Sequence, residues 1–428
     1  MLDISSAVRR ETAVGASSHG GTPTVAGRQA ARGHREAAPA VPGLALEIIH
    51  TRAAFDALEA DWSALFERAG NSTQLFQTFD WNWHWCNHFL GSPRDTKQSL
   101  CLVVGRRDDR LVMVWPLIRQ RQLGLTIVTW MGDPVSQYGD VLVEDASDRD
   151  ALLHAGWRHV TSALGADVVA LRKVRADAAV ASVIAASKAE TTEELEAPYL
   201  DLTGQTDLSR YEARWSTRLR RNRRRQQRRL ADLGEISFRT PEPGEIAGSL
   251  ALQAVTLKRE WLAERGHISR AFADPRTDAF FAAVASSPTR SAGTQVQALM
   301  CGDSVAALNV GVVVKQRLAL HIISYASAFE KTAPGSFGLE KLVQKAIDDG
   351  LTTVDLLAPR AEYKMEWADG TVGVRDHALA LTLAGRAYMA LAVKGRTRLK
   401  RVIERMPAGV RQIAARAQRL RPGRSTTA

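Results

Sequence analysis

Residues 334–367 read PGSFGLEKLVQKAIDDGLTTVDLLAPRAEYKMEW. Leu339, Leu342, Val343, Ala346 and Ile347 recur at helical spacing, with Glu340, Lys341, Gln344, Lys345, Asp348 and Asp349 opposite them. Gly350 is a C-terminal stop, and Pro334, Gly335 and Ser336 form the entry turn, with Ser336 placed to cap the helix. The N–H groups of such a turn suit an anionic ligand. Residues 352–358 then read as a buried strand with Asp355 among Val354, Leu356 and Leu357. A carboxylate there needs a partner or an opening into a cleft. Two roles fit it: a pair with an arginine or backbone amide, or a base or amine binder at the strand end. Gly-x-Gly-x-x-Gly and Walker spacings are absent, so neither a dinucleotide site nor a P-loop is expected.

Working outward, three strand patterns precede this segment at 294–300, 305–314 and 318–325, joined by tight polar links. Helical patterns at 245–265 and 275–286 and a strand at 235–239 come before them, and a last strand is expected at 377–383. The first half has the same order: a strand at 44–50, helices at 53–69 and 79–90, and strands at 99–105, 110–119 and 124–130. A short run at 140–143, a helix at 148–164 and a strand at 167–171 complete it. Residue identities do not repeat, but the order does. It predicts an α/β (α+β) chain of two similar domains in tandem, each a mixed, largely antiparallel sheet flanked by helices. The expected limits are a disordered segment 1–43, domains at 44–204 and 205–385, and a basic tail 386–428.

An apolar content of 45% is ordinary for a globular chain. No apolar run approaches the roughly 20 residues of a membrane span, and the start of the chain lacks a signal-peptide core. A cytoplasmic protein is expected. Cys86, Cys101 and Cys301 are far apart, the histidines do not cluster, and no metal site is expected.

The net charge of +11 is concentrated in two segments: residues 386–428 carry +11 and residues 210–229 carry +9. The remainder of the chain, apart from +2 in residues 1–43, is acidic. The basic segments suit a polyanion: a phosphate-bearing donor, nucleic acid or an anionic lipid surface. In residues 208–233, Tyr211, Trp215, Leu219, Asn222, Gln226, Leu230 and Leu233 keep helical spacing, so a folded basic helix is expected. Arg218, Arg221 and Arg225 flank this stripe as phosphate forks. The tail mixes apolar and basic residues as a helix on an anionic membrane would, and Pro407 interrupts it.

These features together resemble the CelD/BcsL-type (BioF2-like) acetyltransferases, a branch of the GNAT superfamily. The resemblance rests on Arg220-Arg221-Asn222, Lys258 to Trp261, Pro334-Gly335, Gly350 before the strand with Asp355, Tyr363-Lys364 and Trp367. FQTFDWNWHW (76–85) and SQYGDVLV (136–143) carry it into the first half, so it covers about residues 44–385. It implies a tandem GNAT-like fold laid out like the FemABX aminoacyltransferases. It also implies acyl transfer to an amine or hydroxyl of an envelope or exopolysaccharide precursor.

Acetyl-CoA or another acyl-CoA is the implied donor, with an acyl carrier protein or aminoacyl-tRNA as alternatives. The usual GNAT pyrophosphate loop is not present as such; residues 334–339 stand in its place. Asp355 and Tyr325 are the expected catalytic pair, as base and as acid for the leaving thiolate. Gly335, Ser336, Phe337 and Gly338, with Arg218, Arg221 and Arg225, are expected at the donor. Lys258, Trp261, Tyr363 and Lys364 are expected at the acceptor. The rival readings are a non-catalytic nucleic-acid or anionic-surface binder, and a scaffold derived from an acyltransferase. Peripheral attachment at the inner face of the membrane follows if the tail binds lipid.

Overall fold

The computed structural model describes residues 41–91 and 97–392. The expected disordered segment therefore lies outside the described residues up to residue 40, and the basic tail beyond residue 392 does too.

The first half runs β1 (Leu44–Ile49), α1 (Arg52–Asp56), α2 (Glu59–Ala69), α3 (Phe79–Phe89), β2 (Gln98–Leu100), β3 (Leu102–Arg107), β4 (Arg110–Trp115), β5 (Leu117–Gln122), β6 (Leu125–Trp130) and β7 (Leu142–Val143). It continues with α4 (Arg149–Ala163), β8 (Val168–Arg175), α5 (Ala181–Ala185) and β9 (Glu190–Asp201). The run expected as one strand at 110–119 divides at Pro116, which has no N–H to give a ladder. β4 pairs with β3 and β7, whereas β5 pairs with β2 and β6, so the chain changes sheets at this proline.

The second half runs α6 (Leu208–Glu212), α7 (Thr217–Ala231), β10 (Ile236–Arg239), α8 (Glu245–Glu264), α9 (Arg270–Ala273), α10 (Arg276–Ser286), β11 (Thr294–Cys301), β12 (Ser304–Val314) and β13 (Arg317–Tyr325). Then come α11 (Pro334–Asp348), β14 (Thr353–Asp355), α12 (Glu362–Met365) and β15 (Gly370–Ala380).

Among the described residues the strands form a small sheet, β1-β3-β4-β7, and a large one, β10-β11-β12-β13-β14-β9-β15-β8-β6-β5-β2. The large sheet is nearly symmetric about its centre. β13 is parallel to β14 on one side, β6 is parallel to β8 on the other, and the antiparallel pair β9/β15 lies between them. β9 from the first half pairs with β14 of the second, and β15 from the second half pairs with β8 of the first. The halves thus exchange strands and share one continuous sheet.

α8 and α10 cover one face of the second half, packing with α3 around Phe280, Phe281, Trp81 and Ile322. On the other face Leu339, Leu342, Val343, Ala346 and Ile347 of α11 meet Leu318, Leu320, Val354 and Leu356. Each such leucine, valine or isoleucine side chain contributes roughly 1.5–3 kcal/mol by leaving water, which is why the apolar stripe fixes how α11 docks.

Three local expectations are corrected. The basic helix expected across 208–233 breaks where the Ser216 hydroxyl accepts the Leu219 N–H and starts α7 afresh. In α7 the buried residues are Arg223 and Leu230, with Leu219 and Asn222 half-buried, and Leu233 is exposed. α11 begins earlier than expected, with Pro334 in its first turn after Ala333 in the left-handed region (φ 51°), so Ser336 lies inside the helix and does not cap it.

Candidate active site

β13 and β14 pair only from Arg317↔Thr353 to Ala319↔Asp355. β13 continues to Tyr325 along β12, leaving its other edge free of ladder partners while β14 ends. A β-bulge falls where His321 is skipped in the β12/β13 register. Bulges re-aim side chains and bend a strand next to functional openings.

A cavity of about 260 Å³ occupies this splay. α8 contributes Lys258, Trp261 and Arg265, spaced by three and four so that they share one helix face. β13 contributes Ile323 and Tyr325, and the first turns of α11 contribute Gly335, Ser336 and Leu339. Tyr363, Glu366 and Trp367, on and after α12, close the remaining side.

A polar network centres on the Tyr325 hydroxyl. It accepts from Trp261 Nε1 and from Arg265 Nη2, each at 3.1 Å, and donates to Glu330 at 3.2 Å. Arg265 also reaches Glu330 at 2.7 Å and holds that carboxyl below its usual range. Lys258 Nζ lies 4.4 Å from the Trp261 ring centroid, with no carboxylate paired to it among the described residues. Burial, followed by the Arg265 charge, pushes its pKa down to about 8. A lysine with that pKa is partly neutral near pH 8 and competent to take a proton.

The structure therefore brings Lys258, Trp261, Tyr325, Gly335, Ser336 and Tyr363 to one cavity. It does not bring the other expected residues there. Asp355 is fully buried and its oxygens are occupied: Tyr138 Oη donates to one at 2.8 Å, and Arg175 and Arg317 donate to the other at 3.0 and 3.3 Å. The Leu357 N–H adds a fourth bond at 2.9 Å. Both oxygens are thus engaged and Asp355 does not line the cavity, so the expectation that Asp355 is the base is corrected in favour of its other expected role, a pair with arginine and a backbone amide.

Lys364 is buried, and its Nζ donates to the Leu357 and Pro359 carbonyls at 2.7 and 3.0 Å, tying the exit of β14 together. Gly338 packs on β12, its carbonyl accepting from Asn309, and Phe337 joins the cluster around Leu230. Arg218, Arg221 and Arg225 line a separate groove along α7 with Ser216 and Asn222.

Arg265 and Glu366 were missed. The i, i+3, i+7 relation of Lys258, Trp261 and Arg265 is a signal that points to Arg265; nothing in the sequence marks Glu366.

In the first half the edge of β8 beyond β6 is partnered, and a cavity of about 240 Å³ lined by Ile127, Thr129, Val168, Ala170 and Arg172 lies beside it. Gly139 N–H donates to the Lys173 carbonyl at 3.1 Å, so the loop after β6 enters the gap. Trp115, Trp130 and Trp157 stack behind it, and a Cβ on Gly139 would come within 2.1 Å of the Trp130 ring nitrogen.

Residues 217–365, from α7 to α12, match the model of the acetyltransferase (GNAT) domain. The chain carries a GNAT acyltransferase domain. The crystal structure of FemX superposes with a TM-score of 0.55 at 10% identity, covering 81% of this chain and 99% of that one. The structure of L-PGS from Bacillus licheniformis gives 0.46 at 12% identity, covering 79% and 96%. A tandem GNAT protein from the clavulanic acid biosynthesis pathway gives 0.42 at 13%, covering 79% and 99%. The FemX likeness is one of fold, and with the domain match and the two similar halves it gives the expected tandem GNAT-like fold. No curated protein matches the sequence. Among the described residues no helix is long and apolar enough to cross a membrane, and no cluster of His, Cys, Asp or Glu is set to hold a metal ion.

Proposed function

We propose that the chain moves an acyl group from a CoA-type thioester to an amine or hydroxyl, in the cavity between β13, α8 and α11. The observation that carries this reading is the bare edge of β13 beside the start of α11. An amide-bearing donor arm can add to a strand edge as a further strand would. At the start of α11, Gly335 and Ser336 line the cavity in the first turn, whose N–H groups lack intrahelical partners and favour donor phosphate.

In this reading neutral Lys258 takes a proton from the acceptor as its nitrogen or oxygen attacks the thioester carbon. The carbon–sulfur bond breaks, and Tyr325 gives its hydroxyl proton to the departing thiolate. Arg265 and Trp261, which already donate to the Tyr325 oxygen, stabilise the charge left there. Residues 205–385 are the transferase domain, and residues 44–204 are a companion of the same fold. The CelD/BcsL-type resemblance supports acetyl as the group moved and an envelope or exopolysaccharide precursor as the acceptor.

Thermal unfolding in the presence of acetyl-CoA, malonyl-CoA and aminoacyl-tRNA, run side by side, tests the donor. A ligand at 100-fold its Kd adds about 2.7 kcal/mol to stability. Acyl-CoA should raise Tm, and Ile323→Arg, which fills the cavity, should abolish the rise. Stabilisation by aminoacyl-tRNA and by neither thioester would refute the CoA assignment.

A further inference from the structure

α7 carries a charge array that the chemistry in the cavity does not use. Arg218, Arg221, Arg224, Arg225, Arg228 and Arg229 are all exposed. None of the six pairs with a carboxylate among the described residues; Arg225 bonds only to the side-chain oxygen of Asn222, at 3.0 Å. The helix is nonetheless anchored. Arg223 lies buried on the rings of Trp215 and Trp367, at 3.8 and 4.4 Å, Leu230 is fully buried, and Gln227 donates to Glu340 at 2.6 Å. The exposed arginines therefore sit on a rigid rod and span roughly 16 Å along its axis.

We infer that α7 is a docking surface for the phosphodiester backbone of a nucleic acid. Three features favour this partner. Every cation on the helix is an arginine, whose planar fork matches a phosphate, where a general acidic surface is served equally by lysine. Arg218, Arg221, Arg225 and Arg228 form a line with a charge about every helical turn, which suits a linear polyanion. The large apolar residues within α7, Leu219 and Leu230, pack inward and the exposed Leu233 lies past the helix end, so the line of arginines itself carries no large apolar side chain to insert into a lipid surface. No aromatic residue lies among the exposed arginines, so recognition is of backbone and not of sequence.

The test is fluorescence anisotropy of the full chain with a short single-stranded RNA and with duplex DNA, across a salt series. A variant carrying Arg218→Gln, Arg221→Gln, Arg225→Gln and Arg228→Gln is compared with the wild type. Four phosphate contacts predict an affinity that falls roughly 50- to 150-fold between about 50 and 200 mM salt. The variant should bind at least about 10-fold more weakly at low salt, with a slope shallower by about 3.

Circular dichroism and thermal unfolding check that α7 remains folded. If the quadruple variant does not fold, the single charge reversal Arg221→Glu takes its place and should also weaken binding. Equal binding by wild type and variant would assign any affinity to other basic segments and overturn the inference. So would α7-dependent binding to phosphatidylglycerol vesicles with none to nucleic acid, or no binding at low salt. None of these outcomes depends on the donor bound in the cavity, so failure here leaves the transferase reading standing.

Discussion

The Tyr138 hydroxyl donates to an Asp355 oxygen across 2.8 Å, joining residues 217 positions apart. Tyr138 is itself buried under the Arg175 guanidinium, 4.8 Å from its ring centroid. Burial, then the adjacent carboxylate, push the phenol pKa well above its usual value, so it remains a donor. The loop after β6, the end of β8 and the start of the β13/β14 splay thus converge on one carboxylate.

Asp355→Asn should therefore cost stability more than turnover. It leaves Arg175 and Arg317 without their shared partner. The loss should be about 3 kcal/mol, the low end for unpairing a buried charge, because Asp177 still holds Arg175. Denaturant unfolding measures the loss, and turnover per folded molecule should stay within a few-fold of wild type. Normal stability with abolished turnover would return Asp355 to the chemistry.

Lys258→Met should lower kcat by about 10²- to 10⁴-fold, the usual contribution of a positioned base. The wild-type rate should rise with pH and level off above about 8, because the amine acts only when deprotonated. The variant should lose that limb. A pH–rate profile retained in the variant would assign the proton transfer to another group.

Much of the second half is legible in its sequence because its periods are clean. The stripe of Leu339, Leu342, Val343, Ala346 and Ile347 and the stop at Gly350 give α11, and three apolar runs give β11 to β13. β9 is not legible: its residues 190–196 are ETTEELE, too acidic to look like a strand, although it lies in the middle of a sheet. Its place follows from pairing with β14 and β15, which no local pattern encodes. The start of β15 at Gly370, seven residues before the expected strand, is hidden for the same reason.

The cavity was partly legible, through Lys258, Trp261, Tyr325 and the turn at Gly335. Asp355 misled because its partners Tyr138 and Arg175 come from the other half of the chain. Arg223 was hidden because an arginine packed against two tryptophan rings looks, in sequence, like its solvated neighbours.

Tyr325→Phe removes the acid and strands the donors of Trp261 and Arg265. Turnover with an alkyl thioester should fall by about 10²-fold. A thioester of a more acidic thiol, whose thiolate leaves without a proton, should lose much less. Equal losses with the two donors would show that Tyr325 does not protonate the leaving group.

Arg223→Lys should destabilise the fold by about 1–2 kcal/mol despite keeping the charge. The guanidinium lies over two mutually perpendicular indole rings, 3.8 and 4.4 Å from their centroids, and reaches Glu366 at 3.2 Å, and a lysine ammonium, a compact point charge, cannot span all three. Urea unfolding of the two proteins measures this, and equal midpoints would show that the stacking adds nothing beyond charge.

Lys173 sets a pH dependence of stability on the other side of the sheet. Its ammonium donates to the Ser136 carbonyl and the Gln137 amide oxygen at 3.1 and 2.9 Å, with no carboxylate in contact among the described residues. Burial pushes its pKa down to about 8, against about 10.4 in an unfolded chain. Below about pH 8 both states hold the proton and Lys173 adds no slope. Between the two values the unfolded state binds a proton that the native state has shed, so stability rises with pH by at most about 1.4 kcal/mol per unit for this residue. Lys258 and Lys364, also pushed down to about 8, add slopes of the same sign. Cys86 and Cys101, pushed up to about 12 by burial, add slopes of the opposite sign once the unfolded thiols ionise, so Lys173→Met should lower the slope of unfolding free energy against pH between about pH 8 and 10 by up to about 1.4 kcal/mol per unit. Urea unfolding across that range reads the difference, and a slope unchanged by the substitution would mean that Lys173 titrates as it does in water.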